Sequence, residues 1–449
     1  MESSQAATTV QERPNVVVAP ADEDVWDQLG RSAERLAPAQ LERRLLVLLV
    51  LAAALLRLLW LDRPEGALIF DEKYYVNAAR VIAGITPGQE TYLDKPLGLD
   101  PNIEHPPLAK VITAGSIRLL GDNAYGWRIP SVLFGTLAVF LMYRIGRRIS
   151  GDPYFGLLAA TILAFDNLTF VHGRIFTLDI SMLALLLLGI DQYLHGRPLV
   201  AGLVLALAAL CKLTGGFGLL LLGAYEALRL LPRPASTWRT LLDDARPAIG
   251  RLVRLGVTFG LAFVVLLGVL DLLFTPFRQP FAHLQHMGTY AQLLRRQLPS
   301  GVESRPWQWL WNDVEMPYLK VEQQIRVGEQ LRENRPVVWF RGAMNPYVLM
   351  VWPLTLAFAA YIWWRRRPGS DIAALALAWF VLAFLPFVAA SLIGQRISYI
   401  FYFLPVLPAI VIATSGFLLS PGVPRPLLWG YLFAVLLGFA GYFPFRPVL

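Results

Sequence analysis

The sequence has little cysteine and little charge for its length. Only one of its 449 residues is a cysteine, Cys211, which excludes an internal disulfide framework and a metal site built from cysteine ligands. Charged residues make up 16% of the chain, against about 25% in soluble globular proteins. The hydrophobic fraction is 56%, gathered in long runs with the charges between them. This pattern predicts an all-α polytopic membrane protein.

An apolar core close to Met1 is also missing, so residues 1–41 are predicted to be a soluble cytoplasmic tail and not a signal peptide. The net charge of +8 could indicate nucleic-acid binding. However, arginine clusters such as Arg43 and Arg44 border the apolar runs, which is how membrane proteins set their orientation. We therefore expect no nucleic-acid partner and a multi-pass protein of the cell membrane, with its N-terminus cytoplasmic and its C-terminus outside.

A spanning helix needs about 20 mostly apolar residues, and about eleven segments of the sequence qualify. The expected spans are 45–61, 128–147, 153–171, 176–194, 198–213, 215–231, 252–275, 346–364, 372–392, 399–418 and 426–443. The predicted organisation is a tail (1–41), an N-terminal transmembrane module (42–275), a second outer loop (276–345) and a C-terminal transmembrane module (346–449). The first outer loop, 62–127, belongs to the N-terminal module and is expected to be catalytic.

The first outer loop is acidic in a basic protein. Residues 62–105 hold eight acidic and four basic side chains. Asp71 and Glu72 open a predicted helix, where carboxylates are favoured as caps, so a capping role is one interpretation. The other is functional, because the pair follows a spanning helix by about ten residues. A carboxylate held at the membrane surface could accept the proton of an acceptor hydroxyl.

A second acidic motif, Glu104-His105-Pro106-Pro107, comes later in the same loop. The two prolines fix the backbone and start a helix, which places Glu104 and His105 at a rigid corner. The alternative is that His105 caps the helix while Glu104 is solvated.

An ordered set of motifs runs through the chain. In sequence order these are Phe-Asp-Glu-Lys-Tyr-Tyr at 70–75, Glu-His-Pro-Pro-Leu-Ala-Lys at 104–110, Trp-Arg-Ile-Pro at 127–130, Asp-Asn at 166–167, His-Gly-Arg at 172–174, Leu-Asp at 178–179, Ser-Arg-Pro-Trp at 304–307, Asn-Pro at 345–346 and Arg-Ile-Ser-Tyr at 396–399. The set resembles the protein O-mannosyltransferases, in their compact bacterial form. Two departures are that residues 276–345 are too short for the β-trefoil insertion of eukaryotic members, and that the second motif carries its acid at Glu104 where the family often has one at position 102.

The resemblance implies a C-type glycosyltransferase fold and a function. Mannose would pass from a polyprenyl-phosphate carrier to a Ser or Thr hydroxyl of a secreted or membrane protein, on the outer side of the bilayer. No cofactor is implied and no metal is required, although oxygen ligands of an acidic loop leave a divalent ion open. Asp71 would activate the acceptor with Glu72 beside it, Glu104 and His105 match the second acidic motif, and Arg128 would lie near the lipid phosphate.

The chemistry supports the same assignment from the residues. Displacement at a lipid-linked sugar needs a base and cations that neutralise the departing phosphate. Cations expected near the outer ends of spans are Arg128, Arg174, Lys212 and Arg396, the last followed by Tyr399. Lys212 could instead snorkel to the interface. Asp166 and Asp179 are expected to pair with such cations or to hold helices together.

Trp307 and Trp309 stand out among the aromatic residues because they lie in the second outer loop. They could contact the acceptor or a sugar face, or simply anchor the loop at the interface.

Other functions remain as alternatives. A related lipid-carrier glycosyltransferase could act on a lipid or a cell-wall glycan. A membrane transporter would place charges and broken helices near the middle of the bilayer, whereas here the ionisable residues gather at span ends and in the outer loops.

Overall fold

The computed structural model describes residues 39–88, 91–231, 238–294, 303–327 and 330–445. It is mostly helical, at 70%. The α-helices are α1 Ala39–Leu58, α2 Glu72–Ile82, α3 Leu108–Leu120, α4 Ala124–Ser150, α5 Pro153–Ala164, α6 Asn167–His172, α7 Leu178–Leu194, α8 Pro198–Cys211, α9 Phe217–Leu230, α10 Trp238–Phe274, α11 Pro280–Leu293, α12 Pro306–Trp309, α13 Pro346–Leu349, α14 Trp352–Trp364, α15 Ser370–Leu392, α16 Leu407–Leu418 and α17 Arg425–Tyr442. Two 3₁₀ segments, Leu213–Gly216 and Ile400–Val406, precede α9 and α16.

The polytopic fold class is confirmed. Among the described residues, six helical segments are long and apolar enough to cross a membrane: Ala124–Ser150, Ala245–Phe274, Pro346–Trp364, Ser370–Leu392, Ile400–Leu418 and Arg425–Tyr442. The count of about eleven spans is not confirmed, because α5 and α8 are apolar but shorter. The expected span 153–171 is divided into α5 and α6, since the Asp166 side chain caps a new helix by accepting from Thr169 N at 2.9 Å.

The helix α4 is long enough to connect the two faces of the membrane. Its 27 residues correspond to about 40 Å. The Asn123 side chain accepts from Tyr125 N and Gly126 N at the start, and Gly151, with φ +73°, terminates the helix. A left-handed residue after the last turn favours glycine. Arg128 therefore lies near one face and Arg147 near the other.

Small residues allow α4 to pack closely on its neighbours. A Cβ added at Gly146 would lie 3.0 Å from the Cα of Gly156, and one added at Gly156 would lie 2.6 Å from the carbonyl oxygen of Tyr143. Such close approach is typical of helices that associate within a bilayer. The buried core follows these contacts through α4, α5, α7 and α8.

The second outer loop contains a β-hairpin. Strands β1 (Met316–Val327) and β2 (Gln330–Gly342) pair antiparallel, from Met316↔Gly342 to Val327↔Gln330. From sequence this stretch was expected only to belong to the second outer loop, so the hairpin is an addition to an otherwise helical fold. The segment after α17 pairs with β2, where Trp339 N donates to Pro444 O at 2.7 Å.

The predicted division into a tail, two transmembrane modules and two outer loops stays a prediction. Helix α10 ends at Phe274 and α13 begins at Pro346, close to the proposed boundaries at 275 and 345. Residues 1–38 of the predicted tail lie outside the described residues.

Candidate active site

The candidate site is built around the turn that precedes α2. Phe70 has φ +57°, a left-handed conformation that is uncommon for a bulky residue and found at functional sites. Asp71 occupies the N-cap position, but its side chain makes no capping hydrogen bond. Only its backbone oxygen accepts, from Tyr74 N at 2.9 Å and Tyr75 N at 3.0 Å. Among the described residues the Asp71 carboxylate has no hydrogen-bond or ion-pair partner, so the capping interpretation does not account for it.

Glu72 is fully buried, and both of its carboxylate oxygens accept hydrogen bonds. Its Oε1 accepts from Arg128 Nε at 2.8 Å and Phe176 N at 2.9 Å. Its Oε2 accepts from Arg128 Nη2 and Ile69 N, both at 2.7 Å. The side chain thus fixes the turn that carries Asp71 to α4 and to the segment before α7.

The Arg128 guanidinium also makes its hydrogen bonds within the protein. Besides Glu72, its guanidinium donates to Leu61 O and Ala67 O at 2.7 Å each. Four of its five N–H groups are therefore directed at the protein, and the side chain is buried. This placement is at odds with the prediction that Arg128 contacts the donor phosphate, and it gives Arg128 a role in holding Glu72.

Burial and neighbouring charges set the protonation of Asp71. Burial raises the pKa of Asp71 to about 7, the charge of Lys212 opposes this shift, and Asp179 adds to it. A carboxyl group with a pKa near the operating pH can both hold and release a proton, which suits a general base.

Lys212 lies beside Asp71 at the junction of α8 and the first 3₁₀ segment. Its Nζ donates to Asp179 Oδ1 at 2.6 Å and lies 5.1 and 4.9 Å from the ring centroids of Phe401 and Tyr402. The residue is only 7% exposed, so snorkelling to the interface is wrong. The prediction that Asp179 pairs with a cation is confirmed. Asp166 instead caps α6 and accepts from Asn345 N at 3.0 Å.

Arg396 is partly buried and has no ion pair among the described residues. Its Nε is buried without a hydrogen-bond partner there, and its charge is close enough to His105 to act on it. Tyr399, three residues on, stacks on Phe401 with the ring centroids 5.5 Å apart. A partly accessible guanidinium whose charge acts, like that of Lys212, on His105 is suited to a phosphate.

His105 faces the same cations. Burial, followed by the charges of Lys212, Lys110 and Arg396, lowers the pKa of His105 well below its usual value. The imidazole is therefore neutral, and its ring lies 6.0 Å from that of Tyr75. Glu104, next to it, accepts from Asn102 Nδ2 at 3.1 Å.

Sequence reasoning missed the lysine that organises this motif. Lys110 Nζ forms a buried ion pair with Asp100 at 2.5 Å and also donates to the backbone oxygens of Asn102 and His105. A lysine within the apolar stretch that follows Pro107 was the available signal, because a cation there needs an internal partner.

A second missed contact clamps the two outer loops together. His283 of α11 contacts Asp271 Oδ1 at 2.6 Å through Nδ1 and Ile103 O at 2.9 Å through Nε2. Asp100 N donates to Phe274 O at 2.6 Å. The corner at Glu104 is thus held from α10 and α11 as well as by Lys110.

Two further predicted residues have their polar groups bonded within the protein. Arg174 is buried, donates to Leu59 O at 2.7 Å and Trp60 O at 3.2 Å, and so has a structural position, at odds with phosphate binding. Trp309 is also buried, and its indole N–H donates to Ser304 Oγ at 2.8 Å, which is a contact within the second outer loop. Trp307 is partly exposed beneath the guanidinium of Arg305, and its role stays a prediction.

The hairpin reaches the site through Tyr318 of β1. Its ring stacks on Phe70 with centroids 4.1 Å apart, and its hydroxyl lies 2.9 Å from His172 Nε2. Gly342 makes room for this ring, since a Cβ there would lie 2.5 Å from it. In the part of the chain that the structure describes, no group of three or more His, Cys, Asp or Glu residues could hold a metal ion.

The chain is similar to a family of known membrane enzymes. Residues 104–240 match the model of the dolichyl-phosphate-mannose-protein mannosyltransferase family. The polyprenol-phosphate-mannose–protein mannosyltransferase of Mycolicibacterium smegmatis is 31% identical over 255 residues, which are 55% of this chain and 44% of that protein. The protein of the same name from Mycobacterium tuberculosis strain H37Rv is 37% identical over 115 residues, 25% of this chain and 21% of that protein. The matches thus span less than half the length of these relatives.

Solved structures show the same fold. The Saccharomyces cerevisiae protein O-mannosyltransferase Pmt1–Pmt2 complex bound to the sugar donor matches with a TM-score of 0.66 at 13% identity, covering 93% of this chain and 91% of that one. ArnT from Cupriavidus metallidurans matches with a TM-score of 0.50 at 19% identity, covering 86% and 61%. These structures place the chain in the fold of the C-type membrane glycosyltransferases.

Proposed function

We propose that this chain, a relative of the protein O-mannosyltransferases, transfers mannose from a polyprenyl-phosphate carrier to a Ser or Thr hydroxyl of a secreted or membrane protein. The observation that carries the proposal is the Asp71 carboxylate. It has no partner among the described residues, its pKa is raised to about 7, and it lies close to the ammonium group of Lys212.

The reaction is a direct displacement at the sugar. The acceptor hydroxyl oxygen forms a bond to C1 of mannose while the bond between C1 and the phosphate oxygen breaks. The hydroxyl proton goes to the Asp71 carboxylate, and the leaving polyprenyl phosphate keeps the bonding electron pair. Lys212 and Arg396 stabilise the charge that develops on the phosphate.

The remaining residues of the site hold Asp71 and His105 in position. Glu72, held by Arg128, fixes the turn at Asp71, and Lys110 fixes the corner at His105. Neutral His105 packs beside Tyr75 and does not compete with the cations for the phosphate. Glu104 is the next acid available if Asp71 is not the base.

The direct test is to incubate the purified protein with polyprenyl-phosphate mannose and a Ser/Thr-rich peptide. We expect the peptide to gain the mass of one hexose, and a peptide with Ala at every Ser and Thr to gain none. Transfer to a lipid or glycan acceptor in place of the peptide would favour the related transferase. Accumulation of donor inside vesicles without transfer would favour a transporter.

Arg396→Ala is expected to weaken use of the donor. Loss of one charged hydrogen bond typically costs about 1.5–3 kcal/mol, so the apparent donor affinity or turnover should fall by roughly one to two decades. Arg396→Lys should recover only part of this loss, because lysine lacks the fork of N–H donors. The measurement is the donor dependence of the transfer rate.

The matched control is Lys95→Ala, which removes an exposed cation from the first outer loop. It should leave the donor dependence unchanged. An Arg396→Ala protein with the wild-type donor dependence would reject the assignment of Arg396 to the phosphate.

The site is proposed to face the outer side of the membrane, because the strong arginine clusters lie at the opposite helix ends. Leu97→Cys, in the first outer loop, should react with an impermeant thiol reagent applied to intact cells. Arg365→Cys, at the end of α14, should react only after the cells are opened. The native Cys211 is buried and should give no background. The reverse labelling pattern would contradict this orientation.

A further inference from the structure

A cluster of positive charge lies far from the candidate active site, at the other end of α4. Arg128 lies in the first two turns of this helix, and Arg144, Arg147 and Arg148 lie in its last two. The 19 residues from Arg128 to Arg147 correspond to about 28 Å along the helix, which is close to the thickness of a bilayer core. The cluster therefore lies at the opposite membrane face.

The cluster lines an open cleft between the end of α4 and the end of α7. The cavity volume is about 510 Å³. Its principal lining residues are Phe140, Tyr143, Arg144, Arg147, Arg148 and His195. Three guanidinium groups and an imidazole at a membrane face make this an anion-binding environment.

Acidic partners neutralise only part of this charge. Arg144 Nη2 lies 2.9 Å from Oδ2 of the buried Asp191. Arg147 pairs with Glu42 of α1 and donates to Tyr143 Oη at 3.0 Å, yet its side chain is 52% exposed. Both arginines therefore have acidic partners and still line the cleft.

Arg148 is the arginine without an acidic partner among the described residues. Its Nε donates to the backbone oxygen of Leu194 at 3.1 Å. The residues that line the cleft include three arginines and no acidic side chain, and Asp191 and Glu42 pair with two of these arginines. The Nδ1 of His195 donates to Asp191 O at 2.8 Å, which leaves its Nε2 for a further contact.

The surroundings favour a lipid over a free ion. Helix α1, which supplies Glu42, exposes Leu41, Leu45 and Leu48 along its first turns. An anion carried on acyl chains could place its headgroup in the cleft and its chains beside these leucines. We propose that this cleft binds the phosphate headgroup of an anionic phospholipid, independently of the transferase site.

The test compares lipids that share their acyl chains. The detergent-solubilised full chain is titrated with dioleoyl phosphatidylglycerol, with dioleoyl phosphatidylcholine, and separately with inorganic phosphate, and bound ligand is counted by native mass spectrometry. Each basic residue at a membrane surface contributes about 1 kcal/mol to binding an anionic surface. The double variant Arg147→Gln/Arg148→Gln should therefore weaken phosphatidylglycerol binding by roughly ten- to thirty-fold.

The control is Arg365→Gln, an exposed arginine at the same membrane face but outside the cleft, which should bind phosphatidylglycerol as the wild type does. If the double variant does not fold, Arg148→Gln alone tests the site, because that arginine loses only a bond to a carbonyl. Equal binding of phosphatidylcholine, or phosphatidylglycerol binding unchanged in the cleft variants, would overturn the proposal. Binding of inorganic phosphate that depends on the cleft arginines, without such dependence for the lipid, would also overturn it.

Discussion

Asp71→Asn is expected to lower the rate of sugar transfer by about 10²–10⁴, the usual contribution of a general base. Asparagine keeps the size of the side chain but cannot take the hydroxyl proton. Because the Asp71 side chain makes no capping bond and has no ion-pair partner among the described residues, the substitution should leave the fold intact. The measurement is single-turnover transfer to a peptide, with donor binding determined in parallel.

Donor binding should survive in Asp71→Asn, because the proposed phosphate contacts are Lys212 and Arg396. Glu65→Gln is the matched control, since it removes a carboxylate from the same loop whose side chain is 88% exposed. It should transfer sugar at the wild-type rate. Transfer by folded Asp71→Asn at a near wild-type rate would contradict the role of Asp71, and Glu104 would become the leading candidate.

The pH dependence of the transfer rate is a second test of the role of Asp71. Burial raises the pKa of Asp71 to about 7, so the fraction able to accept a proton increases as the pH rises through 7. The value of kcat/KM for the acceptor should rise over this range, since it reports ionisations of the free enzyme. The rise should be absent from the residual activity of Asp71→Asn.

Much of the fold follows from the sequence, because local chemistry determines it. Helix covers most of each apolar segment that was expected to span, since a run of apolar residues in a bilayer must satisfy its own backbone, although six described segments are long and apolar enough to cross a membrane. The division of 153–171 at Asp166 was missed. An acidic residue inside an apolar run could pair with a cation or cap a new helix. Asp166 caps a helix, because its side chain accepts from Thr169 N.

The motif around which the candidate site is built could be read from the sequence, but the partners of its arginines could not. Asp71 could be singled out from the sequence by its motif and by its short distance along the chain from α1. Arg128 and Arg174 lie at helix ends, where the sequence cannot tell whether a guanidinium faces a ligand or backbone oxygens. The partners of Arg128 are 56 to 67 residues away in the chain, and only tertiary packing brings them together.

The burial of Glu72 indicates that the two adjacent carboxylates, Asp71 and Glu72, have different roles. Asp71 and Glu72 are adjacent in the sequence, yet Asp71 lacks a side-chain partner among the described residues and Glu72 accepts four hydrogen bonds. The partnered residue determines where the unpartnered one is held. This arrangement predicts that substitution of Glu72 acts first on stability and only through it on turnover.

Glu72→Gln is therefore expected to destabilise the protein by about 3–5 kcal/mol, the usual effect of removing one partner of a buried ion pair. The double variant Glu72→Gln/Arg128→Met should recover part of this loss, because it no longer leaves an unpaired guanidinium. The measurement is a double-mutant cycle of unfolding free energies. Glu322→Gln, which breaks the exposed pair with Lys320, is the control and should cost about 1 kcal/mol or less.

Transfer kinetics of the same variants separate positioning from catalysis. If Glu72 acts through stability, turnover in the double variant should recover together with stability, while Asp71→Asn keeps its lowered rate in every background. A Glu72→Gln protein that keeps wild-type stability but loses turnover would contradict the prediction that Glu72 acts on turnover through stability. That result would show that Glu72 acts at the site itself, by holding Asp71 in place or in proton transfer, because a loss of rate in a stably folded protein cannot come from unfolding.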